Sequence, residues 1–267
     1  MVTILPKYIV NKSLFPSYGF LCENTLMPSL KKYLKKVIPS RLHFKAVSLK
    51  HKFTKFKNTY YSQNGEDIIL SSLFPKNYRG FYVDVGAHHP YRISNTYLLH
   101  KLGWKGINID ANPETIQLFE KARPHDINLN VGVGRIDTMS TYYTFSDPAV
   151  NTFSQTDAEH WKKKTFLEFL GTTTVQIRPL DKILEEYLPR ESQSIDILSV
   201  DVEGLDLEVL QSNNWEKYSP RVIVAEDHDF NLEQMSKNPI YNLLREKGYL
   251  LSDKVKFSLI FVKDDKK

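Results

Sequence analysis

A single cysteine, Cys22, stands among 267 residues. No disulfide can form within the chain, cysteine-rich zinc sites are excluded, and the expected location is a reducing compartment, the cytoplasm. Long hydrophobic runs are missing too: stretches such as 222–225 (VIVA) and 259–262 (LIFV) fall far short of the roughly 20 apolar residues that span a bilayer. No charged start leads into an apolar segment with a small-residue cleavage site. Neither an integral membrane protein nor a secreted one is expected. Repeats and low-complexity tracts are also lacking, and 41% hydrophobic with 25% charged residues is the composition of a folded domain with a sizeable core.

Acidic residues are nearly absent from the first 58 positions. That stretch holds 12 of the 36 Lys and Arg but one acid, Glu23, which leaves 24 basic and 30 acidic residues for the remainder. A basic extension, 1–58, therefore precedes an acidic domain, 59–267. In the extension Leu30, Tyr33, Leu34, Val37 and Ile38 recur at helical spacing with Lys31, Lys32, Lys35 and Lys36 between them, which predicts a short amphipathic helix that Pro28 and Ser29 start and Pro39 ends. Three readings are open: packing on the main domain, peripheral contact through 28–58 with the anionic inner face of a membrane or a complex, or contact with nucleic acid or another partner.

From Gly80 onward short apolar runs alternate with helical patterns, the signature of a parallel sheet with crossover helices. Strands are expected at 80–85, 106–110 and 127–133, with helices at 94–101 and from Pro113 to about Ala122. Residues 137–177 break the rhythm: 140–145 and 172–177 are β-rich, 161–170 between them is expected to be helical, and the whole is expected to form an insertion or cap over the sheet. Strands return at 195–202 and 221–227, helices follow at 205–211 and 241–247, and strands at 249–252 and 257–262 are close enough for an antiparallel hairpin.

In such sheets ligands bind beyond the carboxyl ends of the strands. Those ends are rich in acids here: Asp84 before Gly86, then Asp110, then 130–132 (NVG), then 201–204 (DVEG), then 226–228 (EDH). A G-x-G-x-x-G turn is missing, since Gly86 is followed by Ala87, His88, His89 and Pro90. That turn argues against a pyrophosphate cradle, and it disfavours a nicotinamide oxidoreductase. Asp110 can accept hydrogen bonds from two ribose hydroxyls, and the acids favour a nucleoside of positive charge. S-adenosylmethionine is the candidate.

These residues carry a family resemblance. The series 61–67 (YSQNGED), 81–90 (FYVDVGAHHP), 94–96 (SNT), 103–113 (GWKGINIDANP) and 201–204 (DVEG) resembles the FkbM family of S-adenosylmethionine-dependent O-methyltransferases over about 58–264. The resemblance implies an α/β, class I (Rossmann-like) methyltransferase fold, with a seven-stranded, mostly parallel sheet ending in an antiparallel hairpin. It also implies methyl transfer to a hydroxyl of a sugar, glycan or related small metabolite. By the same resemblance Asp84 and Gly86 match the first cofactor motif, Asp110 the ribose-binding acid, and Asn130 to Gly132 the segment near the adenine. His88 and His89 depart from the family pattern and read equally as loop residues. Gln63, Glu66 and Asp67 either start a helix or border the pocket.

Methyl transfer to a hydroxyl needs a base, or a divalent cation that acidifies the hydroxyl. Asp201, Glu226 and Asp227, at adjacent strand ends, are the candidate ligands for Mg²⁺ or another divalent cation, with capping and substrate contact as the alternative. Asp201, Glu203 and His228 are the catalytic candidates, the last two as bases. Tyr142, Tyr143, Phe145, Phe153, Trp161, Phe166 and Phe169 in the insertion supply either core or faces for a sugar ring. A nucleic-acid methyltransferase is disfavoured, because 201–204 is not a Pro-Pro-aromatic loop, 238–241 (NPIY) follows the wrong strand, and Cys22 precedes Glu23 rather than proline. A catalytically inactive S-adenosylmethionine-binding module in a glycan assembly complex is the remaining alternative.

Overall fold

The computed structural model describes residues 60–189 and 194–264, so the amphipathic helix expected at 30–38 and the rest of the basic extension lie outside the described residues. After helix α1 (Glu66–Ser72) come β1 (Phe81–Val85), α2 (Tyr97–Lys101), β2 (Lys105–Asp110), α3 (Pro113–Ala122), β3 (Ile127–Asn130) and β4 (Gly132–Val133). The insertion contributes β5 (Thr138–Phe145), a 3₁₀ turn, α4 (Gln155–Trp161) and β6 (Phe169–Arg178). The chain then runs through α5 (Leu180–Tyr187), β7 (Ile197–Val200), α6 (Asp206–Gln211), β8 (Val222–Glu226), α7 (Pro239–Glu246), β9 (Tyr249–Val255) and β10 (Ser258–Lys263).

The main sheet has the order β3-β2-β1-β7-β8-β10-β9. Its neighbours pair in parallel from β3 to β8, and β10 runs antiparallel to both β8 and β9. This is the class I methyltransferase architecture that the family resemblance implies. The order reverses at β1, so the crevice between the ends of β1 and β7 is where such a sheet takes a ligand.

Strand alternation divides the core into two faces. Val83, Val85, Ile107 and Ile109 pack with Leu180, Ile183 and Leu184 of α5, while Tyr82 turns to the other face with Leu70, Leu99 and Trp104. Asp84 and Asn108 share the Tyr82 face by the same alternation, and there the fully buried Arg123 gathers a polar network. Its guanidinium donates to Tyr82 Oη at 3.1 Å, Thr96 Oγ1 at 2.9 Å, Asn108 Oδ1 at 3.3 Å, the Pro90 carbonyl at 2.6 Å and Ser94 Oγ at 3.1 Å. A buried guanidinium is tolerated when it is hydrogen-bonded and near carboxylates, here Asp84 and Asp126 beside it.

Three expectations need correction. The stretch 127–133 is not one strand: β3 joins the main sheet, while β4 pairs with β6 in a separate sheet of order β4-β6-β5. The insertion helix lies earlier than 161–170, because Ser154 Oγ accepts from Asp157 N–H at 3.2 Å and starts α4 at Gln155. From Phe169 the backbone is already extended, pairing with Phe145 across β5. A further helix, α5, was not expected, although Leu180, Ile183, Leu184 and Tyr187 have helical spacing and bury one face.

Candidate functional site

The crevice at the switch point opens into a cleft that Gly86, Asp110, Tyr142, Asp201 and Glu226 help to line. Gly86 lies where β1 turns away from the sheet, with φ 79°. A Cβ at this position would stand 1.8 Å from the Asp201 carbonyl oxygen, so only glycine fits a turn whose backbone lies against the end of β7. The amides of Gly86 and Ala87 both donate to the Ile109 carbonyl, at 2.9 and 3.1 Å, which locks the turn to β2.

At the end of β2 the Asp110 carboxylate is held by backbone amides. Oδ2 accepts from His88 N–H at 2.9 Å and Oδ1 from Asn112 N–H at 2.7 Å. Burial pushes its pKa up to about 6 against the pull of those two donors. His88, with φ 54°, thus serves to present its amide to Asp110, and His89 Nδ1 accepts from the amides of Tyr91 and Arg92. The loop reading of both histidines agrees with these contacts, although His88 also lines the cleft.

Beyond Asp110 the wall is apolar. Val131 and Gly132 line it together with Tyr142 and Phe153 of the insertion, whose rings meet at 4.7 Å. A Cβ on residue 132 would lie 2.9 Å from Phe153 Cζ, so the aromatic ring rests directly on that glycine. Tyr142 is buried with Ala111 and Val175, and burial together with the nearby Asp110 charge raises its hydroxyl well above the ordinary value. Asn130 itself is exposed and uses its amide to hold the Asp110 and Ala111 carbonyls, at 3.0 and 2.9 Å.

The opposite end is acidic. Asp201, Glu203 and Glu226 line it, and Asp206 is buried behind, its Oδ1 accepting the Glu226 amide at 3.1 Å. Glu203 has φ 54° and precedes Gly204 at φ 94°, a strained turn of the kind that collects at functional sites. Burial and the surrounding Glu226, Asp206 and Glu203 raise Asp201 well above the usual carboxylate range. Burial raises Glu203 as well, with Glu226 adding to it. His228 Nε2 lies 3.2 Å from Glu226 Oε2, and its ring packs on Phe257 at 4.3 Å. One donor atom each from Glu203, Glu226 and His228 fall within 4.8 Å of one another.

The predicted residues divide accordingly. Gly86, Asp110, Gly132, Asp201, Glu203 and Glu226 share the cleft wall, and Gln63 joins them. Asp84 does not: its carboxylate turns beneath the cleft and accepts from Thr96 Oγ1 at 2.6 Å. Asp227 does not join the acidic group either. It follows Glu226 at the strand end and points elsewhere, accepting from Asn238 Nδ2 at 2.6 Å and Asp229 N–H at 2.9 Å, so the expected ligand trio Asp201, Glu226 and Asp227 is not assembled. Glu66 and Asp67 tie the segment before α1 in place, through Asn64 N–H, Ser258 Oγ, Tyr61 N–H and Ser62 Oγ. Asn151, which also lines the cleft, and Asp206 carry no expectation from the sequence, although Asp206, close behind Glu203 in the chain, reads as part of the acidic run.

S-adenosylmethionine fits these groups. A carboxylate preset by two amides suits a ribose diol, an aromatic and glycine-floored slot suits a flat base, and the acidic end suits a sulfonium and an ammonium. Among the described residues lining the cleft there is no Lys or Arg, as a cofactor without phosphate allows.

A family model described as the Methyltransferase FkbM domain matches residues 84–251. No curated protein matches the chain. Among solved structures, it is similar to a methyltransferase FkbM from Methylobacillus flagellatus KT, at 11% identity and a TM-score of 0.41, over 69% of this chain and 43% of that one. It thus spans less than half of that relative's length. It is also similar to a precorrin-6y C5,15-methyltransferase from Geobacter metallireducens GS-15, at 13% identity and 0.39, over 80% and 96% of the two chains. An O-methyltransferase from Bacillus cereus in complex with SAH matches at 11% identity and 0.36, over 88% and 97%.

Proposed function

The chain belongs to the FkbM methyltransferase family, whose domain spans more than half of it, and from that premise we propose that it is an S-adenosylmethionine-dependent O-methyltransferase acting on a hydroxyl of a sugar, glycan or related metabolite. The observation that carries this reading is one continuous cleft with two chemically different ends: Gly86, Asp110 and the Tyr142–Phe153 slot at one, and Glu203 and Glu226, with His228 beside them, at the other. When bound, S-adenosylmethionine supplies a methyl carbon on a positively charged sulfur and leaves as the neutral thioether.

The chain's own residues do the rest. Asp110 would hold the ribose hydroxyls, Gly86 lets the backbone approach, and Tyr142 and Phe153, the latter packed on Gly132, would offer aromatic faces to the base. Asp201 takes the ammonium of the methionine end, and Asp84 supports the turn from beneath. The acceptor hydroxyl's proton passes to His228, which has Glu226 beside it at 3.2 Å, or to Glu203, whose carboxylate is made more basic than usual by burial and Glu226. The lone Cys22 supports a reducing compartment, the cytoplasm, as the place of reaction.

A specific observation favours a second device at the same end. The close donors from Glu203, Glu226 and His228 would suit a divalent cation that acidifies the hydroxyl, and an imidazole beside two carboxylates fits Mn²⁺ or Zn²⁺ better than the all-oxygen set expected for Mg²⁺. Calorimetric titration with S-adenosylhomocysteine beside Asp110→Ala tests the core reading. Binding lost in the variant supports it, and no binding by folded wild type overturns it. Methyl transfer to a panel of sugars, with and without chelator, then tests acceptor and metal.

A further inference from the structure

The insertion that walls the cofactor end of the cleft has a second, outward part that the reaction does not use. After α4 the chain makes consecutive tight turns, with backbone bonds from Lys163 to His160, Lys164 to Trp161 and Leu167 to Lys164, and is closed by a bond from Ser146 N–H to the Glu168 carbonyl at 2.9 Å. This is an ordered tip, and it presents three lysines in a row followed by large apolar side chains.

Phe166 is 77% exposed, the highest value among the exposed large hydrophobic residues described, and Leu170 is 61% exposed. Leu170 owes its exposure to a β-bulge. The pairing jumps from Phe145↔Phe169 to Thr144↔Gly171, so Leu170 is the extra residue and leaves the alternation of β6. Lys162 is committed to Glu159 at 2.8 Å and to the Phe169 ring. Among the described residues, Lys163 and Lys164 donate to no side chain within hydrogen-bond distance, and Glu159, whose charge Lys163 also feels, is already paired with Lys162. With three lysines against one acid, Glu168, in 162–170, a domain of otherwise acidic balance thus carries net cationic charge here beside apolar groups that gain nothing from water.

That pairing is the chemistry of an interfacial anchor: apolar side chains enter the headgroup boundary while adjacent lysines face anionic lipid. We propose that the tip formed by Lys163, Lys164, Phe166 and Leu170 binds an anionic phospholipid surface. Charge complementarity favours this occupant over a second copy, since two copies of the tip would bring like charges together. The proposal is independent of the methyl-transfer reading; where both hold, the cleft is served at a membrane, because the same insertion lines it through Tyr142 and Phe153.

The test uses the full chain with Phe166→Trp as a local reporter, so that the basic extension cannot mimic the result. With vesicles of phosphatidylglycerol and phosphatidylcholine, the emission that this substitution adds over the wild-type spectrum is expected to shift blue and to be quenched by brominated lipid, with little change on phosphatidylcholine alone. Lys163→Glu with Lys164→Glu should lower the partition coefficient about tenfold or more, and Phe166→Ser with Leu170→Ser should do likewise, with unchanged circular dichroism and melting. Three results overturn the proposal: a reporter that stays solvent-exposed while the chain sediments, equal binding to neutral vesicles, or a concentration-dependent dimer that the Phe166→Ser and Leu170→Ser changes abolish.

Discussion

Gly86 and Asp201 meet across the switch point of the sheet, with room between the Gly86 Cα and the Asp201 carbonyl for a hydrogen but not a methyl group: the missing Cβ would lie 1.8 Å from that oxygen. The contact sets how near the β1 turn comes to the end of β7, and with it the width of the crevice into which Asp110 and Asp201 face.

Gly86→Ala must move one of the two backbones and also sustain a left-handed φ of 79°, which alone costs about 1–2 kcal/mol. The variant should fold with reduced stability and lose S-adenosylhomocysteine affinity by about a hundredfold or more. Calorimetry beside a urea melt separates the two effects; full affinity in a destabilised variant would refute the role given to this turn.

Two buried carboxylates make the free protein sensitive to pH. Burial raises Asp110 to about 6 and Asp206 to about 7, so between about pH 4 and 7 the folded chain holds protons that the unfolded chain has released. Stability from these groups is therefore present in acid and lost as pH rises through the folded pKa values. Asp206→Asn should flatten the decline and make the variant more stable than wild type at pH 8, by on the order of 4 kcal/mol. Urea midpoints of both proteins measured from pH 5 to 8 check this, and an Asp206→Asn variant whose stability relative to wild type does not rise with pH would contradict it.

Much of this was legible because strand ends are legible. Asp84, Gly86, Asp110 and Asp201 were located by runs of apolar residues and the carboxylates that close them. Direction was not: Glu226 lines the cleft while its neighbour Asp227 turns to Asn238, a distinction that depends on a local strand end rather than on composition. Arg123 was invisible for another reason. At the end of an amphipathic helix an arginine reads as a solvent-facing cation, and its burial follows from Tyr82, Asn108 and Thr96 arriving from distant positions. Conversely, α5 has a regular pattern, but at eight residues directly after an irregular insertion it is short for a periodicity to stand out.

Arg123→Ala would leave five buried acceptors, on Tyr82, Thr96, Asn108, Pro90 and Ser94, without their donor, and at about 1–3 kcal/mol for each one left unsatisfied the loss is about 3 kcal/mol or more. A loss of that size in urea unfolding is expected. A variant within about 0.5 kcal/mol of wild type would mean that the network is dispensable.

Phe153→Ala removes the ring that rests on Gly132, and stacking against a base is worth about 1–3 kcal/mol. Affinity for S-adenosylhomocysteine and for 5′-methylthioadenosine should fall together, about tenfold, since the change touches only the adenosine end. A drop for the first ligand alone would move Phe153 to the methionine end and reassign the slot.

The acidic end should act on turnover rather than on cofactor binding. Glu226→Gln keeps the shape of the side chain but replaces one acceptor oxygen by a donor and removes the charge 3.2 Å from His228 Nε2, and His228→Ala removes the imidazole. If the pair accepts the hydroxyl proton, kcat should fall by about 10²–10⁴ in both variants, with S-adenosylhomocysteine affinity nearly unchanged and the double variant no worse than the single ones. If Glu203, Glu226 and His228 hold a cation instead, each variant should also weaken Mn²⁺ binding measured directly by calorimetry, and chelator should abolish wild-type turnover. Equal losses of cofactor affinity and kcat in Glu226→Gln would sink both roles, because they would move Glu226 to the methionine ammonium beside Asp201.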